Sequence, residues 1–434
     1  MSFGNAIYAK LWDAGEAARL FTGTAEVRAM LLVEGALAKV QGQQGIIPEV
    51  SGAAIHRAAM ELQIDPGGLA AATGKNGVPV PALVAAFRSA MQAPEHAQYV
   101  HWGATSQDIV DTALMLRLRQ ALGLAEDRLR TLLTRLADMA EVHAELPCPA
   151  RTWGQVATPT SFGAVVAGWG RPLVDLVTAL PTIRSELYVS LSGAAGTASA
   201  LGPGAAQTRA RLAEALGLND PGRTWHTDRG PVLRIADWQG GVLAALAGMG
   251  QSLIGMAGHG EVAFGSAGAS STMPQKQNPV GPSALVALNA QAGGLRAALQ
   301  GATAHQHQRD GASWFTEWLT LPQIALACAA ALERALSIAE GLNPKPDAMA
   351  DALGGPGLVH AEALSFVLAT KVPRPDAQAE TKALCRSAQE TGQSLEKLAR
   401  AAHPDLPADL FAPTQMGHAP AEARVFAAAV RALP

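Results

Sequence analysis

Cysteine is scarce. Cys148, Cys328 and Cys385 are the only three in 434 residues, far apart and odd in number, which gives neither a disulfide framework nor metal-ligand spacing and implies a reducing, cytoplasmic setting. Charged residues make up only 16% and no Lys/Arg run occurs; Lys plus Arg number 33 against 36 Asp plus Glu, a net charge of -3, so no nucleic-acid partner is expected. Residues 1–13 have no basic region followed by an apolar segment, so no secretory leader is expected. Gly240 to Gly258 is uncharged and long enough to span a bilayer, but it is mostly Ala and Gly, carries Gln251 and Ser252 and lacks an aromatic belt, the composition of a buried bundle helix. No membrane partner is expected. A phosphate loop, a dinucleotide fingerprint, a His-Glu-x-x-His helix and paired cysteines are all missing, so neither a metal nor an organic cofactor is expected.

What the chain does have is apolar bulk. Hydrophobic residues make up 49%, rich in Ala and Leu, while Tyr (3) and Phe (9) are few, the profile of a compact helical protein. From Asp108 to His143, Leu114, Leu118, Leu122, Ala125, Leu129, Leu132, Leu136 and Met139 recur in steps of three and four. Such a helix would be roughly 54 Å long at about 1.5 Å per residue, so its partners must be comparably long. Pro159 to about Leu191, Pro231 to about Val262, Pro279 to about Ala304 and about Thr316 to Gly341 are the candidates, and several begin with Pro, whose missing N–H costs nothing in a first helical turn. No strand pattern stands out. The expectation is an all-α fold of three helical domains, 1–104, 105–344 and 345–434. The central one holds the bundle, and Leu342 to Asp347, with two prolines, marks the second boundary.

Two polar clusters interrupt this apolar chain. Ser270, Ser271, Thr272, Lys276 and Asn278 crowd a Gly-rich loop ahead of a helix start, and His101, Thr105, Ser106 and Asp108 precede the long helix. Hydroxyls, a cation and free N–H groups at helix starts suit an anionic ligand. The same residue types serve a solvated loop with helix caps, so residue type alone leaves both readings open.

The runs His101-Trp-Gly-Ala-Thr-Ser-Gln-Asp108, Arg151-Thr-Trp-Gly-Gln155 with Pro159-Thr-Ser-Phe-Gly163, and Ser270-Ser-Thr-Met-Pro-Gln-Lys-Gln-Asn-Pro279 resemble the three signature regions of the fumarase/aspartase superfamily, in order and over essentially the whole chain. The third is highly specific. The resemblance implies three all-α domains, a central five-helix bundle, and a homotetramer whose active sites are shared between subunits. It also implies proton exchange at a carbon next to a carboxylate, through an aci-carboxylate intermediate that Lys276 and Asn278 are the right types to stabilise. The implied substrate is a small anionic polycarboxylate.

Within the superfamily, fumarase and the succinyl-transferring lyases carry a His after Arg-Thr and a Glu past the Lys-x-Asn motif. Here those positions hold Trp153 and Ser283. A leaving group that is itself a carboxylate, with a conjugate acid of pKa about 4, departs without a proton, which would make that pair dispensable. The muconate-lactonising branch is similar in Arg-Thr-Trp, in Pro279-Val-Gly281, in Trp225-His-Thr227 and from Trp314 to Pro322. His307-Gln-Arg-Asp310 looks like a stretch of adenylosuccinate lyase, but Trp314 and Trp318 stand where that enzyme has phosphate-binding residues. The resemblance therefore implies a cycloisomerase with Ser270 and Lys276 catalytic and with His101, Thr105, Ser106, Thr152, Trp153, Ser271, Asn278 and Arg309 binding substrate. Another lyase of the superfamily, such as adenylosuccinate lyase, and a catalytically silent relative are the alternatives. Ala269, with Gly268 before it, departs from the usual Gly ahead of the double Ser.

Overall fold

In the computed structural model, residues 3, 5–265, 268–269, 273 and 276–434 are described. Five long helices dominate: Ser106–Val142, Phe162–Arg184, Gly230–Gly258, Val280–Gly301 and Gly311–Gly341. The expected all-α class is what the structure shows. Several helix ends fall elsewhere than the periodicity suggests, each for a local reason. The last helix starts at Gly311 rather than near Thr316 because the Asp310 carboxylate accepts the Ala312 and Ser313 N–H groups at 2.9 and 3.2 Å, capping an extra turn.

Strands are few but not absent. Pro147–Thr152 pairs with Gln155–Ser161, Val262–Phe264 with Leu342–Pro344, and Gly268–Ala269 with Gln277–Asn278, all antiparallel. The first pair shortens the helix expected from Pro159, and the second ends the Gly230 helix at Gly258, before Val262. Pro147, Pro149 and Pro159 disrupt helical hydrogen bonding and suit a two-stranded ribbon in which every strand is an edge.

The chain forms two compact units. One comprises Met1–Arg128, Leu176–Ala244 and Ala287–Glu333. Leu118 and Leu122 of the seam lie in it fully buried, with Leu114 nearly so, and Ile235, Val242, Leu243 and Ile324 of the same unit are fully buried as well. A fully buried Leu contributes on the order of 1.5–3 kcal/mol, so this stripe is a principal stabiliser of the helix. Thr22 caps the Gly23–Gln43 helix through its side chain, and the inward face of that helix, including Met30, Leu31 and Leu37, is buried.

The other unit comprises Leu129–Asp175, Ala245–Val286 and Arg334–Pro434. Leu129, Leu132 and Leu136 continue the seam fully buried, whereas Met139 is half-buried. Gly250 lets two helices meet: a Cβ there would stand 2.7 Å from the Pro282 carbonyl oxygen. Toward the C-terminus Leu364, Leu368, Leu395 and Leu406 form a separate apolar cluster. Arg400 donates to the carbonyls of Leu406, Pro407 and Ala408, which ties down part of the Pro-rich segment. Burial pushes the Cys148 and Cys328 thiols up to about 12, so neither is a nucleophile near neutral pH.

Gly230–Gly258 and Gly311–Gly341 are long and apolar enough to cross a membrane, with 50% and 61% of their apolar windows buried within the protein. Glu317, nearly two turns into the latter, is held in an internal ion network, as expected of a core helix.

Candidate active site

In the first unit the start of the Ser106–Val142 helix is organised by Asp108, which is fully buried. Its carboxylate accepts the Thr105 N–H at 3.0 Å, the reach-back of an acidic residue at the third helical position to the cap residue. It also accepts Ser190 Oγ at 3.0 Å, Ser192 N at 2.9 Å and Gly193 N at 3.0 Å, and His226 Nε2 lies 2.8 Å away. The helix start and the Gly-rich loop from Ser192 are thereby pinned to one buried charge. Thr105 and Ser106 are left half-buried at the rim, with Thr105 Oγ1 3.4 Å from Arg309 Nη2.

Arg309 also donates to Gln107 Oε1 at 2.8 Å and to the Ala194 carbonyl at 3.1 Å, so its guanidinium is fixed beside the helix start. Below it lies a buried ion network. Arg229 forks onto Asp111 at 2.8 and 3.2 Å and onto Glu317 at 2.9 and 2.6 Å, and stacks over the Trp225 ring at 4.6 Å. Trp314 Nε1 adds a bond to Asp111 at 3.2 Å. Burial pushes the Glu317 carboxyl up, against the pull of the Arg229 charge and hydrogen bonds. Trp225, Trp314 and Glu317 thus support the site as core residues.

His101 stands five residues before the helix, in the left-handed region at φ 66°, with Nδ1 2.7 Å from Glu34 Oε1. Its pKa is raised: burial works against the charge, but the Glu34 hydrogen bond and charge, with Asp108, outweigh burial and the opposing Arg88. His101, Thr105, Ser106 and Arg309 therefore lie in one unit around one helix start. Glu34, Gln107 and Asp111 sit within helical patterns that do not single them out in sequence, whereas Asp108 is marked by its place as the acidic residue at the third helical position.

In the second unit, Thr152 pairs with Gln155 across a two-residue turn made of Trp153 and Gly154, at φ 53° and 78°. Both residues of such a turn need positive φ, which suits Gly154 and costs Trp153 about 1–2 kcal/mol. Trp153 nevertheless occupies the position, and its side chain is fully exposed at 101%. Strain held on a large aromatic at a hairpin tip points to use. Arg151, one residue before the turn-flanking Thr152, makes a bidentate ion pair with the buried Glu261, which orients the hairpin tip. Thr152 is exposed beside the tip.

Lys276 is exposed, with its N–H bonded to the Met273 carbonyl at 2.9 Å, and Asn278 is half-buried in the strand paired with Gly268–Ala269. Asn278 lines a cavity of about 140 Å³ with Phe264, Gly281, Arg334 and Ser337. Ser283 donates to the Pro279 carbonyl at 2.9 Å within its own helix. Ser270 and Ser271 lie outside the described residues.

Residues 13–294 match the family model described as Lyase. The chain is 38% identical over 400 residues to 3-carboxy-cis,cis-muconate cycloisomerase of Pseudomonas aeruginosa, covering 90% of this chain and 87% of the relative. It is 35% identical over 395 residues to that of Pseudomonas putida, covering 88% and 93%. The crystal structure of 3-carboxy-cis,cis-muconate lactonizing enzyme from Pseudomonas putida superposes with a TM-score of 0.91 at 32% identity, over 99% of this chain and 100% of that one. With the family model covering more than half of its length and these relatives matching nearly all of it, the chain belongs to the Lyase family of the fumarase/aspartase superfamily.

Proposed function

We propose that the chain is a cycloisomerase that interconverts 3-carboxy-cis,cis-muconate and carboxymuconolactone. The observation that carries this reading is Trp153. At the hairpin tip, where the leaving-group acid of other branches would stand, the chain presents a fully exposed aromatic ring that has no proton to give. Similarity to the named cycloisomerases over nearly the whole chain supports it.

In the lactone-forming direction a carboxylate oxygen of the substrate attacks the distal carbon of a conjugated double bond. Negative charge builds on another carboxylate as the aci form, and a proton is delivered to the adjacent carbon. One carbon–oxygen and one carbon–hydrogen bond form, one π bond is lost, and no redox change occurs. Ser270 serves as the proton donor and, in reverse, the base; Lys276 neutralises the developing charge and Asn278 donates to it. The nearby Lys276 charge favours the anionic form of the Ser270 hydroxyl and so brings it toward a useful range. Thr105, Ser106, Ser271 and Thr152 supply hydroxyls to the substrate carboxylates, His101 and Arg309 supply donors with positive charge, and Trp153 packs on the unsaturated chain.

On this reading the chain divides into 1–104, 105–344 and 345–434, acts in the cytoplasm on a small polycarboxylate and assembles as a homotetramer. Phe315 and Leu319 are exposed on a bundle helix at 42% and 69%, and half of the apolar window in Gly230–Gly258 is less than fully buried. Further copies of the chain are the cover that fits them. An ultraviolet assay of purified protein against muconates, adenylosuccinate, argininosuccinate and malate tests the reading. Loss of conjugated-diene absorbance with 3-carboxy-cis,cis-muconate is expected, while turnover of a fumarate adduct alone would replace the reading with another lyase and turnover of none would favour a silent relative.

A further inference from the structure

Glu34 is a carboxylate in the interior of the Gly23–Gln43 helix, 1% exposed. Oε1 lies 2.7 Å from His101 Nδ1, and Oε2 is buried without a hydrogen-bond partner. Seven residues on, which is two turns along the same helix face, Gln41 Nε2 donates to the Trp102 carbonyl at 2.8 Å. From the Val80–Met91 helix, Arg88 Nη2 donates to the Val100 carbonyl at 2.9 Å. The backbone on both sides of His101 is therefore gripped, which holds its left-handed φ of 66°. A carboxylate this deeply buried is costly unless a cation faces it, and the His101 ring is the ionisable group hydrogen-bonded to it. With Nδ1 committed to Glu34, Nε2 is the ring nitrogen left to meet a ligand.

We propose that Glu34 is a positioning residue for the reaction: it keeps His101 protonated and oriented, so that Nε2–H is presented to one carboxylate of the polycarboxylate substrate. This rests on the reading above that His101 lines the substrate site. The charged groups facing His101 are Glu34 on the Gly23–Gln43 helix, Asp108 on the Ser106–Val142 helix and Arg88 on the Val80–Met91 helix. The first two favour the cation and Arg88 opposes it together with burial, and the outcome is a raised pKa. The cation therefore persists above the ordinary histidine value of about 6.5 and is lost as pH rises through the folded-state value.

The test uses the full-length protein labelled with ¹³C-histidine, together with Glu34→Gln, which keeps an acceptor at Oε1 but removes the charge. The wild-type His101 ring should titrate above about 6.5, and in Glu34→Gln its midpoint should fall by about one unit or more. At about pH 7.5 the variant's KM for 3-carboxy-cis,cis-muconate should rise about tenfold while kcat changes less than about twofold, and the difference should close near pH 5.5. In a His101→Ala background Glu34→Gln should add no further change in KM. A wild-type titration at or below about 6.5, which needs no variant to fold, overturns the proposal, as does an equal KM loss with and without His101. A lowered midpoint with an unchanged KM profile overturns the placement of His101 against substrate. If the wild type turns over no muconate, the cycloisomerase reading falls instead, and the titrations still decide the Glu34–His101 pair.

Discussion

Ser270 and Trp153 carry opposite kinds of information. Ser270 is a candidate because a ten-residue run with fixed Ser, Lys and Asn positions is specific, and its own placement lies outside the described residues. Ser270→Ala should lower kcat by about 10²–10⁴, the range of a lost general acid or base, with helicity and assembly intact. A variant that keeps a tenth or more of wild-type turnover would pass the role to Ser271. Trp153 was legible as a departure, but its fully exposed ring and left-handed backbone were not, because local patterning says nothing about what covers a side chain. Trp153→His should leave the melting temperature near wild type and lower muconate turnover through lost aromatic contact. Faster turnover would contradict the argument that carboxylate departure needs no acid.

Among the elements, the long helices were readable because apolar residues repeated every three or four positions, and Leu118, Leu122, Leu129 and Leu132 are buried accordingly. The 147–161 hairpin was not readable. Its strands carry prolines instead of alternating Val and Ile, and its turn places Trp where Asn or Gly is usual, so neither periodicity nor turn chemistry announced it. The Arg229–Asp111–Glu317 network was also invisible, since its members are 118 and 88 residues apart in sequence and no local spacing relates them. Arg229→Met should cost about 3–5 kcal/mol in urea unfolding, because two buried carboxylates lose their shared cation. A loss below about 1 kcal/mol would mean that the network is dispensable, as replaced ion pairs sometimes are.

At the scale of the whole molecule, each described unit holds part of the expected machinery. His101, Thr105, Ser106 and Arg309 belong to one, and Thr152, Trp153, Lys276 and Asn278 to the other. Sequence order fixed the signature regions but not which subunit supplies each to a given site. If sites are shared within a tetramer, subunit exchange between inactive Thr105→Ala and Ser270→Ala proteins should restore part of the activity, because some mixed sites receive both intact residues. A fully active monomer by light scattering would remove the shared-site account. The most direct test of the central claim is the product formed from 3-carboxy-cis,cis-muconate in deuterium oxide, followed by proton NMR. Intramolecular carboxylate addition with proton delivery predicts a single lactone carrying one solvent-derived deuterium on the carbon beside a carboxylate. Recovery of unchanged muconate, or a product without a lactone ring, would contradict it.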